Sequence, residues 1–279
     1  MKRKIYLENQ DGARIALNGE NNLYFVDAAG FGVDVSDSFA DFGYGFFTNT
    51  NSKNHPQQTL TGTLVFKGLD TLKAWQTFVN WVMTAEKLYF VYVPVDCEYR
   101  REVEVKFFTK GERKVCYLEV AASFTCLTPW YRETPVKVSM QTQASNAMRY
   151  SWTYSATVYA NSGGADMSAE VQANGHLPSA IVFEFDGEIV NPVLKLTDEN
   201  GTVLGECALT ASVSGLTVST LYRDSYVRSG ETDLLSSLDI TKDEPFFHIP
   251  LGIPCTISIT ASSATGDARV SVYDYYRSV

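Results

Sequence analysis

The side chains able to do chemistry are few and scattered. His55, His176 and His248 stand more than 70 positions apart, so no two have the i, i+4 spacing that sets a pair of imidazoles on one helix face for a metal. The five cysteines, Cys97, Cys116, Cys126, Cys207 and Cys255, are odd in number and include no Cys-x-x-Cys pair. They are read as buried, reduced thiols in strands rather than a disulfide or metal framework. Asp34, Asp37 and Asp41 put carboxylates into one short stretch, but the remaining oxygen ligands of a Ca²⁺ loop do not follow. There is no Gly-x-Ser-x-Gly elbow and no phosphate loop, and Gly30-Phe31-Gly32 lacks the third glycine and the helix of a dinucleotide fingerprint. Paired carboxylates for glycoside chemistry can be drawn on any acidic β-domain. The reading is non-enzymatic: no catalytic residue, no cofactor and no metal ligand is assigned.

The elements that would have to position such residues are mostly strands. Residues 3–8 and 13–17 flank the turn signal Asn9-Gln10-Asp11-Gly12 and read as a hairpin. From Asp27 to Pro56 the chain is rich in Gly, Asp, Ser and Asn with scattered aromatics, a long loop of the kind that serves contacts. Thr59 to Phe66 alternates, with Leu60, Leu64 and Phe66 on one face. One helix is predicted in "GLDTLKAWQTFVNWVMTAEK", with Leu72, Trp75, Phe78, Val79 and Val82 as its apolar stripe and Asp70 as N-cap. Trp81 lies off that stripe. Residues 97–108 are expected to pair with 113–126 across Thr109-Lys110-Gly111-Glu112, Val103, Val105 and Phe107 sharing a face, and Cys126 sharing one with Leu118, Val120 and Phe124.

Past "FTCLTPWYRETP" the texture changes. Pro129 and Pro135 restrict the chain there, and residues 136–175 are rich in Ser, Thr, Gln, Asn and Ala, with Ser162-Gly163-Gly164 as a flexible joint. Short strands follow at the spacing of a β-sandwich: 180–185, 192–197, 203–208, 216–220, 256–261 and 269–276, with Asn200-Gly201 in a hairpin turn and 223–244 as polar loop. Charge divides at the same place. Residues 1–140 hold 16 Lys+Arg and 16 Asp+Glu, whereas 141–279 hold 7 and 16, which is the whole formal net charge of −9. An acidic chain of this kind is not a sequence-specific nucleic-acid binder. The basic start Met1-Lys2-Arg3-Lys4 leads into no apolar stretch and is not read as a secretory signal, and no apolar run is long enough for a membrane span. The expected division is 1–133 and 134–279, with the joint inside 134–175.

Two classes of function remain, a structural assembly protein and a glycan-binding module. For the first, Phe31, Phe39, Phe42, Tyr44, Phe46, Phe47 and Trp81 are the candidate contacts between copies in a closed ring. For the second, Trp130, Tyr131, Trp152 and Tyr154 are candidates for sugar stacking, or else for packing the domain junction.

The order of motifs resembles the distal tail protein family of siphoviruses and their prophages. The resemblance rests on Ile5-Tyr6-Leu7-Glu8-Asn9 leading to Gly12-x-x-Ile15-x-Leu17-Asn18, on Gly62-Thr63-Leu64-Val65-Phe66, the lone helix and "FTCLTPWY". It continues through Gly187-Glu188-Ile189-Val190-Asn191-Pro192, Ile249-Pro250-Leu251-Gly252 and the final Tyr273-Asp274-Tyr275-Tyr276. It implies a mainly β protein: an N-terminal β-sandwich or split-barrel ring domain with one α-helix, then a galectin-like or carbohydrate-module-like β-sandwich. It implies a homohexameric ring at the virion tail tip, made in the bacterial cytoplasm. Its expected partners are the tail tube protein, the tape-measure end, the tail-associated fibre or lysin, receptor-binding proteins and a host surface saccharide. DNA would pass through such a ring without sequence recognition.

Overall fold

The computed structural model describes residues 3–32, 39–41, 46–48, 57–95, 97–136, 138–141, 165–239, 241–242 and 244–279. They form two compact units, Met1–Arg132 with Tyr276–Val279, and Glu133–Tyr275. The protein is mainly β, with antiparallel sheets.

In the first unit the order is β1 (Lys4–Asn9), β2 (Arg14–Ala16), β3 (Leu23–Ala29), β4 (Phe39–Asp41), β5 (Phe46–Thr48), β6 (Thr59–Lys67), α1 (Thr71–Thr84), β7 (Leu88–Val93), β8 (Tyr99–Lys114), β9 (Tyr117–Cys126) and β10 (Trp130–Val136). The sheet runs β2-β1-β7-β8-β9-β6-β3, and β4 with β5 makes a separate two-stranded ribbon. The alternation of β6 sends Leu60, Leu64 and Phe66 into a core shared with Leu7, Phe25, Phe90, Leu118, Val120, Phe124 and Cys126. Gly62 lies between them because the Phe25 ring fills its side-chain space: a Cβ there would sit 2.5 Å from Phe25 Cζ. Helix α1 covers this core through Phe78, Val82 and the partly buried Trp75, with edge-to-face contacts of 5.6 Å from Phe66 to both Trp75 and Phe78.

Several expectations are corrected here. Leu72 is exposed, Thr71 taking the inward position at the start of the helix, and Asp70 makes no side-chain cap. The β8–β9 turn is at Val115-Cys116, since Lys114 pairs with Tyr117 and both strands run past Thr109-Lys110-Gly111-Glu112. A bulge between Val105 and Phe107 reverses the facing of β8, leaving Phe107 exposed and placing Phe108 on the core. The 27–56 stretch is not one loop: β3 takes its first residues and the β4–β5 ribbon lies within it. Of the five thiols, Cys126, Cys207 and Cys255 are buried, Cys97 is half-buried and Cys116 is exposed at the hairpin tip; all are free.

The second unit continues with β11 (Ser139–Gln141), β12 (Ala165–Val171), β13 (Leu177–Val190), β14 (Val193–Asp198), β15 (Val203–Ala208), β16 (Ser212–Leu221), β17 (Asp224–Ser229), β18 (Thr232–Asp233), β19 (Cys255–Ala261) and β20 (Ser263–Tyr276). One sheet runs β11-β12-β19-β14-β15, the other β18-β17-β16-β13-β20. Ile181, Phe183 and Phe185 of the second share one apolar cluster with Leu194, Leu196, Ile257 and Ile259 of the first, as in a β-sandwich. The Asn200-Gly201 turn forms as expected, Asp198 accepting from the N–H groups of Asn200 (2.9 Å) and Thr202 (2.7 Å). The stretch 223–244 is not simply loop, because β17, β18 and a 3₁₀ turn at Leu235–Ser237 lie in it. The proposed joint Ser162-Gly163-Gly164 lies outside the described residues.

Candidate assembly surface

Of the residues singled out for subunit contacts, Phe31 lies at the root of the segment 33–56. Strand β3 reaches it through a bulge between Val26 and Ala29, with Asp27 at φ 53°. Gly30 follows at φ 96°, pressed so closely on β6 that a Cβ would be driven into the Thr59 carbonyl oxygen. Phe31 then turns inward. Its ring stacks on Trp130 at 5.7 Å and 17°, with Phe90 and Tyr92 at 5.9 and 5.1 Å. The next carbonyl, of Gly32, accepts a 2.9 Å hydrogen bond from Gln58 Nε2.

Behind Gln58 stands Arg101 of β8. Its Nη1 donates to Gln58 Oε1 at 2.6 Å, its Nε donates to the Thr128 carbonyl at 2.6 Å, and its guanidinium carbon lies 5.6 Å from the Trp130 ring centre. Arg101 is 6 % exposed, and burial pulls its pKa below the ordinary arginine value, outweighing the opposing effect of Cys126. Trp130 is fully buried, and among the described residues its indole N–H has no acceptor. The root is therefore a stack of Phe31, Trp130 and Arg101, with Gln58 bonded both to Arg101 and to the Gly32 carbonyl.

This placement sorts the aromatic candidates. Phe31 belongs to the core of the first unit rather than to a free surface. Trp130, buried in the same core, offers no face to a sugar. Trp81 packs half-buried at the core's edge, and Tyr131 is half-buried, paired with Arg100 across β10 and β8. Phe39, Phe46 and Phe47 stand on β4 and β5, their side chains outside the description. Phe42, Tyr44, Trp152 and Tyr154 lie outside the described residues altogether.

Two further features of the first unit were not singled out from the sequence. Glu8, buried on β1, is held by Arg14 Nε at 2.5 Å and Arg100 Nη1 at 3.3 Å; the same arginines hold Glu98 at 2.7 and 2.8 Å. Burial alone would raise the Glu98 carboxyl, but the hydrogen bonds from Arg14 and Arg100 outweigh it and hold the pKa below the usual glutamate value. All four charges of this group are thereby matched. The second feature is apolar. Val115, at the β8–β9 tip, is 88 % exposed, and Leu69 is 80 % exposed. The tip is fixed beside the helix entry by Gly68 N–H donating to Cys116 C=O (2.9 Å) and by Arg113 Nη2 donating to Leu69 C=O (2.8 Å). The signal was a lone valine inside the charged run "KGERKVC".

In the second unit Tyr222, at the β16–β17 turn, stacks on His248 at 4.6 Å and meets Tyr275 at 4.8 Å. Burial holds the His248 imidazole below its usual pKa. Asp274 is buried and accepts from Ser179 Oγ (2.6 Å) and Asn174 N–H (3.0 Å), a structural use of a carboxylate. Burial pushes the Cys207 thiol up to about 12, far from reactivity. Among the described residues no three of His, Cys, Asp or Glu are grouped to hold a metal.

Residues 4–127 match the family described as the distal tail protein, N-terminal domain. Sequence comparison with curated proteins gives no match. Among solved structures, the chain is similar over 100 % of its length to 100 % of a chain in the phage P2 baseplate in its activated conformation with Ca, at TM-score 0.71 and 13 % identity. It is also similar over 97 % of its length to 98 % of the SPP1 Dit protein, described as a paradigm of the hub adsorption apparatus in phages infecting Gram-positive hosts, at TM-score 0.58 and 13 % identity. The first unit thus matches the distal tail protein N-terminal domain, and the chain shares its fold over nearly its whole length with the SPP1 Dit protein and the phage P2 baseplate chain.

Proposed function

We propose that this protein is a virion component whose first unit assembles six copies into a ring at the tail tip. That ring joins the tail tube to the tape-measure end, the tail-associated fibre or lysin and the receptor-binding proteins. The second unit, a β-sandwich, is the attachment module for those neighbours. The observation that carries the reading is the N-terminal domain match over 4–127, because it falls on the unit whose sequence holds the aromatic segment 33–56. Closed symmetry needs each copy to offer the same two complementary patches. The Phe31–Trp130–Arg101 stack supplies the fixed geometry from which one patch can be presented. A role in assembly also suits the buried thiols of Cys126, Cys207 and Cys255 and the structural carboxylate of Asp274.

Negative-stain microscopy of the purified protein at high concentration, beside its mass in solution, tests this. Sixfold rings with a central hole are expected. A monomeric mass at every concentration, with no rings on addition of the tail tube protein, would sink the reading.

A further inference from the structure

The β8–β9 hairpin ends in an exposed apolar knob. Val115 at the tip and Leu69 beside it are 88 % and 80 % exposed, and Leu72, three residues on, is exposed as well. Single exposed aliphatic side chains are ordinary, but these are grouped and held. Gly68 and Arg113 bond the tip to the helix entry, so little motion is left to lose on docking. The same unit carries a groove of about 430 Å³, lined by Ile15, Leu23, Phe66 and Phe78, with Ala74 and Thr77 along its helix side. By the helical turn Ala74 and Thr77 share one side of α1, whereas Leu72, two residues before Ala74, lies across the axis. On the side of Leu72, Trp75 meets Phe108 of β8 at 5.6 Å. Knob and groove therefore stand on opposite flanks of one helix, the front-and-back arrangement by which copies join head to tail. Their charges are opposite in sign. On the arm Lys110, Arg113 and Lys114 outnumber Glu112 and Glu119, while at the groove Asp70 and Glu20, next to the lining Asn21, outnumber Lys73.

We propose that the groove between α1 and the β2–β3 turn takes the Val115–Leu69 knob of a second copy of this chain, a head-to-tail contact repeated round the ring in addition to that of segment 33–56. The inference rests on the ring reading. Burial of the aliphatic side chains against Phe66 and Phe78 supplies affinity, and the opposed charges set the orientation.

The test uses full-length protein and the native thiol of Cys116, exposed next to Val115. Ala74→Cys, at an exposed helix position, adds a thiol at the groove. After mild oxidation, a non-reducing gel should show a ladder of covalent copies that stops at six, is cleared by reductant and is absent when Cys116→Ser is added. The second readout is Val115→Asp. Its first-unit melting temperature should stay within about 2 °C of wild type, the side chain being exposed. Its rings should need at least about tenfold higher concentration. Wild-type rings with no crosslink between position 74 and Cys116, or unaltered assembly of Val115→Asp, would overturn the knob-and-groove contact and leave the ring standing. A ladder that ends at two copies would overturn the head-to-tail pairing in favour of a two-fold one. A ladder running past six with no rings in the wild type would keep the contact and overturn the ring, whereas a monomeric wild type with no ladder would overturn both.

Discussion

At the residue scale, the ion pairs described in the first unit hold its strands together. Glu98 shows how. Its folded pKa lies below its unfolded value because Arg14 and Arg100 donate to it despite partial burial. A depressed carboxyl contributes stability that is fully present above the ordinary glutamate range and is lost as pH falls through the folded value. The first unit of wild type should therefore exceed Glu98→Gln in unfolding free energy at pH 7, by about 1 kcal/mol or less for a pair this exposed. The gap should close as denaturant titrations are taken down to pH 3, and a gap constant with pH would refute the ion pairs as its cause. The sequence offered some of this and hid the rest. In "YRREVEVK" three charges precede Val103, and nothing local separates Arg100, which pairs with acids, from Arg101, which is buried. The signal was present in the strand period: the face of Val103 and Val105, carried back by two, lands on Arg101. Trp130 was harder, because "PWY" after a strand reads as an exposed seam, whereas Phe31, distant in sequence, closes over it.

At the scale of elements, period and partner decide different things. The alternation of β6 and β9 was legible because both keep one inward face over their length, down to Cys126 beside Phe124. The facing of β8 was not, since a bulge is one residue that the partner strand declines to match, and it leaves no mark in the local pattern. Strand β17 was missed for a related reason: in "DSYVRS" only Val227 is buried, too little to show a period. The bulge makes a prediction that the uninterrupted alternation reverses. Phe108 contacts Trp75 at 5.6 Å, Phe78 at 5.8 Å and Phe124 at 5.8 Å, whereas Phe107 is exposed. Phe108→Ala should destabilise the first unit by about 2–4 kcal/mol and Phe107→Ala by less than about 0.5 kcal/mol. Urea midpoints of the two variants check it, and the reverse ranking would mean that β8 keeps its register through Lys106.

For the whole molecule, the question is which part of the chain makes contacts and which part only presents them. The composition of 27–56 marks a single loop of aromatics for subunit contact, but its first residues are architecture: β3 ends at Ala29, Gly30 lies against Thr59, and Phe31 completes the stack on Trp130. The exchangeable segment is therefore 33–56. Replacing 33–56 by a Gly-Ser linker of equal length should leave the first-unit melting temperature within about 2 °C of wild type, because a flexible surface connection costs little beyond its closure entropy. It should abolish the rings. Replacing 27–56 removes Phe31 as well, opens the space above Trp130, and should lower first-unit stability by about 3 kcal/mol or more, the cost of emptying an aromatic site. Calorimetry and solution mass on the two proteins separate the roles. Loss of assembly in both, with loss of stability only in the longer replacement, makes 33–56 the contact and 27–32 its root. Rings that survive the shorter replacement would move the contact elsewhere on the first unit, with the exposed Val115 and Leu69 at the β8–β9 tip the next surface to alter.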